Sequence, residues 1–292
     1  MSKGILHMLL AVTFFAFMQV CVKLVAHIPA IEVVLFRSVI SLVLSLFFLL
    51  RVGKNPFGNS KNRWLLLARG AVGAAALMMF FITLQKIPLA SAVTLQFLSP
   101  IFTTLLGIWI VGERITGWQM FFFSLSFAGV VMIKGFDADM PLVYLVMGVA
   151  ASVMAGFAYN IIRTLKNSED PLVIIFYFPL VTLPISGIWS ANVWIMPEAW
   201  DWLLLLLVGV FTQIAQYFMT ISYQNEEINK VAALKYLGII YAMIFGYTLF
   251  GESLEPMVFA GIATVLAGVI LNYLYKEGFI LSRFSAKAKS KS

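Results

Sequence analysis

Four cations stand inside apolar stretches of this chain: Lys23, Arg37, Arg69 and Lys235. A charge in hydrocarbon is costly, so such a residue faces a cavity or a partner and marks a place where something polar is handled. Counting 1.5 Å of rise per residue, Arg37 and Lys235 lie roughly 10 Å from the nearest ends of their stretches. Long side chains can snorkel over much of that distance. Lys23 and Arg69 read as snorkelling or structurally paired cations, and Arg37 reads both ways. Lys235 reads as lining a cavity, because its counterpart at equal depth in another stretch, Gln96, is also polar. No acidic residue lies deep. Glu32, Glu113, Glu226, Glu227, Glu252 and Glu255 all fall near the ends of stretches. Buried cations without buried carboxylates favour a solute with a carboxylate or phosphate, or a zwitterion. They disfavour proton-coupled export of organic cations, which uses a membrane carboxylate.

Uncharged polar groups extend the set. Gln19, Gln96, Tyr159, Asn160, Gln213, Gln216 and Tyr236 lie at or near the middle of apolar stretches. Each could instead bond a neighbouring helix, at about 0.6–2 kcal/mol per contact. Pro100, preceded by Ser99, sits mid-stretch, where it deletes a backbone hydrogen bond and predicts a kink facing the cavity. The candidate substrate-binding residues are therefore Gln19, Arg37, Gln96, Pro100, Tyr159, Asn160, Gln216, Lys235 and Tyr236. Nothing suggests catalysis. His7 and His27 are the only histidines, no His/Cys/Asp cluster has metal-ligand spacing, and no phosphate-binding G-x-x-x-x-G-K-[ST] loop occurs. The chain reads as a non-enzyme that needs no metal or cofactor. Cys21 is the only cysteine, which excludes an intrachain disulfide.

The elements that must position these residues are membrane helices. The chain has 292 residues, 62% of them hydrophobic and 11% charged, against about 25% charged in soluble domains. A spanning helix needs about 20 apolar residues. Ten candidates appear, at 4–26, 31–51, 64–86, 88–111, 117–135, 141–163, 171–191, 201–224, 228–250 and 256–276. Proline and glycine punctuate the breaks, with Pro29, Pro88, Pro141, Pro171 and Pro256 near span starts and Gly53, Gly112 and Gly251 near span ends. Pro179 and Pro184 predict a bend in the seventh span. The first span is too long for a cleaved signal and reads as a retained helix.

Lysine and arginine orient the bundle. With a cytoplasmic N-terminus, that side collects Lys3, Arg51, Lys54, Lys61, Arg63, Arg114, Arg163, Lys166, Lys230 and the basic tail, and the other side chiefly Lys86 and Lys134. The formal charge of +7 thus follows the positive-inside rule and implies no nucleic-acid partner. Both termini are expected in the cytoplasm and the bilayer is the cytoplasmic (inner) membrane, with residues 280–292 a basic tail.

The chain also says nearly the same thing twice. Residues 65–132 align without a gap on 204–271 at an offset of 139. Gly70 meets Gly209, Gln85 meets Gln224, Gly107 meets Gly246, Gly112-Glu113 meets Gly251-Glu252, and Ala128-Gly129-Val130 meets Ala267-Gly268-Val269. Near the start the offset is 140: Phe17 falls on Phe157, Gln19 on Tyr159, Lys23 on Arg163 and Phe36-Arg37 on Phe176-Tyr177. The halves are 1–138 and 139–279. Five spans per copy insert the second copy upside down, an arrangement common among secondary transporters.

These residues resemble the drug/metabolite transporter superfamily in its ten-helix EamA-type branch. The resemblance rests on Gly112-Glu113-Arg114 with Trp118-Gln119 and Ala128-Gly129, on Gly251-Glu252-Ser253 with Gly261 and Ala267-Gly268, and on Phe36-Arg37 and Leu67-Ala68-Arg69-Gly70. It covers nearly the whole chain. It implies an all-α integral membrane protein of ten transmembrane helices in two inverted five-helix repeats. It also implies alternating access around a cavity formed largely by spans 1–4 and 6–9. Monomer and homodimer both stay open. The expected function is secondary-active movement of a small amino-acid-like metabolite, anionic or zwitterionic, by export. Uptake of a nucleoside-like cofactor such as S-adenosylmethionine or riboflavin is the alternative. A lipid scramblase or membrane assembly factor is the contrasting class.

Overall fold

A computed structural model describes residues 3–110, 116–136, 140–165, 168–225 and 233–276. Among these residues every regular element is helical. The helices are α1 (Lys3–Leu24), α2 (Ala30–Arg51), α3 (Arg63–Lys86), α4 (Leu89–Gln96), α5 (Ser99–Ile110), α6 (Gly117–Phe136), α7 (Leu142–Leu165), α8 (Pro171–Ser190), α9 (Ala199–Asn225), α10 (Leu237–Phe250) and α11 (Pro256–Lys276). Among the described residues, seven apolar segments are long enough to cross a membrane, and three shorter ones accompany them at 117–133, 237–250 and 256–272. The turn at Glu113, the loop positions Arg114, Lys166, Glu226, Glu227 and Lys230, and the basic tail lie outside the described residues.

Local chemistry sets the boundaries. Asp170 caps α8 by accepting the Leu172 amide at 2.9 Å, and Pro171 opens that helix where no amide is needed. At the end of α2 the Lys54 amide reaches back to the Leu49 carbonyl at 3.0 Å, which requires Gly53 at φ 69°. Helix α8 continues through Pro179 and Pro184.

The fourth span is where the structure departs most from a bent rod. It is two helices, α4 and α5, separated at Phe97–Leu98, and Pro100 falls in the first turn of α5. A proline is tolerated there because that amide has no helical acceptor to serve. The ninth span has a matching irregularity. A 3-10 turn at Ala233–Tyr236 leads into α10.

Between membrane helices, close packing replaces the hydrophobic effect as the source of contact energy. Helices α6 and α11 meet backbone to backbone. A Cβ added at Gly129 would stand 2.6 Å from the Val265 amide nitrogen and 2.7 Å from the Gly261 carbonyl oxygen. Gly70 gives α8 similar access, since a Cβ there would lie 2.9 Å from the Tyr177 carbonyl oxygen. Further principal pairings are α1 with α9, α3 with α7, α2 with α8 and with α9, and α3 with α8. The outward faces are apolar, with Trp64, Trp118, Trp194, Trp200 and Trp202 all exposed, as anchoring aromatics are.

Polar contacts gather at the ends of the bundle. At one end Lys23 forms an ion pair with Glu252, and its Nζ donates to the Ile87 carbonyl at 2.7 Å. Glu252 also accepts the Leu89 amide at 2.8 Å. Nearby, Glu32 accepts the Ile195 amide at 3.1 Å and Asp201 contacts His27 at 3.0 Å. At the other end Lys54 pairs with Asp170, and Glu169 accepts from the Asn59 amide and from Asn62 Nδ2.

Candidate functional site

A cavity of about 300 Å³ opens between the helices. That is the lower end of the range of small-molecule sites. Its wall is mostly apolar, from residues such as Phe15, Phe80 and Phe97. The polar groups in the wall are few: Gln19 on α1, Arg37 on α2, Arg69 on α3, Gln96 closing α4, Ser99 opening α5, Tyr159 on α7, Gln216 on α9 and Lys235 on the 3-10 turn. No Asp or Glu lines it among the described residues.

Six of the sequence-derived candidates therefore meet in one place: Gln19, Arg37, Gln96, Tyr159, Gln216 and Lys235. Asn160 does not join them. Its neighbour Tyr159 takes the cavity side of α7, while Asn160 is fully buried against α5 and its Nδ2 donates to the Thr103 carbonyl at 2.9 Å and the Gly156 carbonyl at 3.0 Å. The side chains of Pro100 and Tyr236 lie outside the described residues. Gln213 turns away toward α2, with Nε2 at 3.4 Å from Ser45 Oγ.

Two residues of the wall were not among the substrate-binding candidates read from the sequence. Arg69 read as a snorkelling cation, and Phe178 carried no signal of its own. The Phe178 ring lies 5.1 Å from the Arg37 guanidinium carbon and 4.8 Å from that of Arg69. Arg37 Nε donates to Thr212 Oγ1 at 3.3 Å. Arg37 is 5% exposed, and neither arginine belongs to an ion pair among the described residues. One clue to Arg69 was available: Gly73 stands one turn further along α3, and a Cβ there would lie 2.7 Å from Arg69 Nη1 and 2.8 Å from Phe178 Cε2. The glycine leaves the space in which the guanidinium and the ring meet.

Lys23 takes the structural role that its position near a span end suggested, through Glu252 and Ile87. The aromatic set on α1 divides. Phe15 faces the cavity, whereas Phe14 and Phe17 pack on Phe211, and Phe17 also on Phe245.

A bundle of apolar helices around a cavity with convergent polar groups has the architecture of a multi-pass membrane transporter. The profile of the EamA-like transporter family matches residues 2–135 and again 142–274, and the chain belongs to that family. It is 32% identical to the pseudopaline exporter CntI of Pseudomonas aeruginosa, over 95% of this chain and 98% of that protein. It is 27% identical to the riboflavin transporter of Brucella anthropi, over 88% of this chain and 91% of that one. One crystal structure shares the fold with a TM-score of 0.67 at 17% identity, covering 94% of this chain and 97% of that one.

Proposed function

We propose that the protein is a secondary-active carrier that exports a small anionic or zwitterionic metabolite across the cytoplasmic membrane by alternating access. The observation that carries this reading is the composition of the cavity wall. Arg37, Arg69 and Lys235 supply positive charge, Gln19, Gln96 and Gln216 supply amides, and no acidic side chain lines it among the described residues. Groups that cost this much in hydrocarbon are retained where they meet a solute.

The architecture supports alternating access. The reading is of two inverted five-helix repeats, 1–138 and 139–279, giving ten spans with both termini cytoplasmic. Exchange of the two halves turns the pairing of α1 with α9 into that of α7 with α3, and the pairing of α2 with α9 into that of α8 with α3. It returns α6 with α11 and α2 with α8 to themselves. This is the pattern a two-fold relation generates. The interrupted fourth and ninth spans both line the cavity, through Gln96 and Ser99 and through Lys235 and Gly238, as discontinuous helices do in carriers. Export is favoured by the likeness to the pseudopaline exporter along nearly the whole chain. The likeness to a riboflavin transporter favours the second reading, uptake of a nucleoside-like cofactor.

Reconstitution tests the carrier reading. Proteoliposomes containing only this chain, loaded with a cytosolic metabolite extract, should release specific anionic or zwitterionic solutes faster than empty vesicles. Absence of solute-dependent flux, with lipid movement instead, would replace the carrier by a scramblase. Preferential competition by simple organic cations would overturn the charge assignment.

A further inference from the structure

The arginine pair is more specific than a general preference for anions. Arg37 and Arg69 come from different helices and meet one ring, so their guanidinium carbons stand at most roughly 10 Å apart. Two like charges this close in an apolar wall disfavour each other. Protein structures relieve such pairs with a carboxylate, yet none lines the cavity among the described residues. Arg37 Nη1, Arg69 Nε and Arg69 Nη1 are buried without a hydrogen-bond acceptor. Buried donors are normally satisfied, and those that are not call for an explanation. Phe178 offers both cations a π face but no lone pair, so it cannot saturate them. Gly73 keeps the space around Arg69 clear.

We infer that Arg37, Arg69 and Phe178 form a recognition site for a group carrying two negative charges, either a phosphate monoester or two neighbouring carboxylates. A single carboxylate neutralises one guanidinium and leaves the other cation uncompensated. Two charges match the pair and give acceptors to all three orphaned nitrogens. Guanidinium groups suit both chemistries, because they hydrogen-bond carboxylate and phosphate oxygens with charge assistance. The substrate class that follows is a dianionic headgroup on a small organic body. That class rests on the carrier reading, but the binding site itself does not.

The test is a binding measurement that needs no transport. Purified full-length protein in detergent is titrated at pH 8 and constant ionic strength with two matched pairs, methyl phosphate against dimethyl phosphate and succinate against succinamate. Saturable shifts in melting temperature report affinity. In the parent, at least one dianion should bind about tenfold more tightly than its monoanionic partner. Preference within the phosphate pair alone assigns a phosphate ester, within the succinate pair alone a dicarboxylate, and within both a site that reads charge. In Arg37→Gln and Arg69→Gln the preference should collapse, and the melting temperature without ligand should stay level or rise because a like-charge contact is gone. The inference is overturned if neither dianion is preferred, or if the preference survives in the double variant. Flux without dianion preference would sink this inference and leave the carrier standing, whereas dianion preference without flux would do the reverse.

Discussion

The contact between Lys23 and Glu252 offers a measurable test of how the bundle is held at one end. Lys23 on α1 pairs with Glu252, which lies between α10 and α11, and Glu252 also accepts the Leu89 amide at the start of α4. Both side chains are mostly buried, at 12% and 15% exposure. Breaking a fully buried pair by removing one partner costs about 3–5 kcal/mol. A solvent-exposed pair contributes about 0–1 kcal/mol. Between these limits, Lys23→Met should cost about 2–3 kcal/mol, since it strands both the Glu252 carboxylate and the Ile87 carbonyl. Glu252→Gln should cost less, about 1–2 kcal/mol, because an amide oxygen can still accept from Leu89. The double variant isolates the pair. A coupling energy of about 1.5–2.5 kcal/mol is expected from equilibrium unfolding of purified protein in mixed micelles. It should change little between ~0.15 and ~1 M salt, because a buried pair is weakly screened. A coupling below about 0.5 kcal/mol, or one that vanishes in high salt, would refute the assignment of this pair as a structural latch.

Three further outcomes follow from the packing and the cavity. Gly129→Leu should abolish or severely reduce folded protein on size-exclusion chromatography, because its side chain would run into the backbone of α11 and the Val265 side chain; an unchanged yield and melting temperature would contradict the close approach. Lys235→Ala should lower transport at least about tenfold at unchanged folded yield, whereas the loss from Lys23→Ala should track folded yield; parent-level transport by the Lys235 variant would remove that residue from the site. Asn160→Ala should lower stability by about 1–2 kcal/mol by leaving the Thr103 and Gly156 carbonyls short of a donor, with KM unchanged; a raised KM would place Asn160 in contact with substrate after all.

What could be read from the sequence was what is written in local chemistry or in periodic composition. Span ends announced themselves through Pro29, Pro88, Pro171 and Pro256. Gln19, Gln96 and Lys235, polar groups in apolar runs, were legible as candidates for the cavity wall that they line. The rest depended on rotation about helix axes. Tyr159 and Asn160 are adjacent, yet one faces the cavity and the other faces α5, a difference that helical spacing alone cannot resolve without knowing the neighbours. Arg69 looked free to snorkel because its position near a span start permits it. Its contact with Phe178 exists only once α3 and α8 pack. The break in the fourth span was visible as Pro100, but its echo before α10 was not, since Ala233–Tyr236 contains neither proline nor glycine.

The two arginines of the cavity wall belong to α2 and α3, while the ring they share belongs to α8. Any sliding of α8 past those two helices therefore drags an aromatic quadrupole across a pair of charges. When no anion is present, that ring is the group both cations share, so displacement carries an electrostatic penalty. A bound dianion cancels the repulsion and makes the same displacement cheap. Occupancy and movement are thereby tied to one another, which is the physical condition for carrying a solute through a barrier without letting the empty protein run down the gradient.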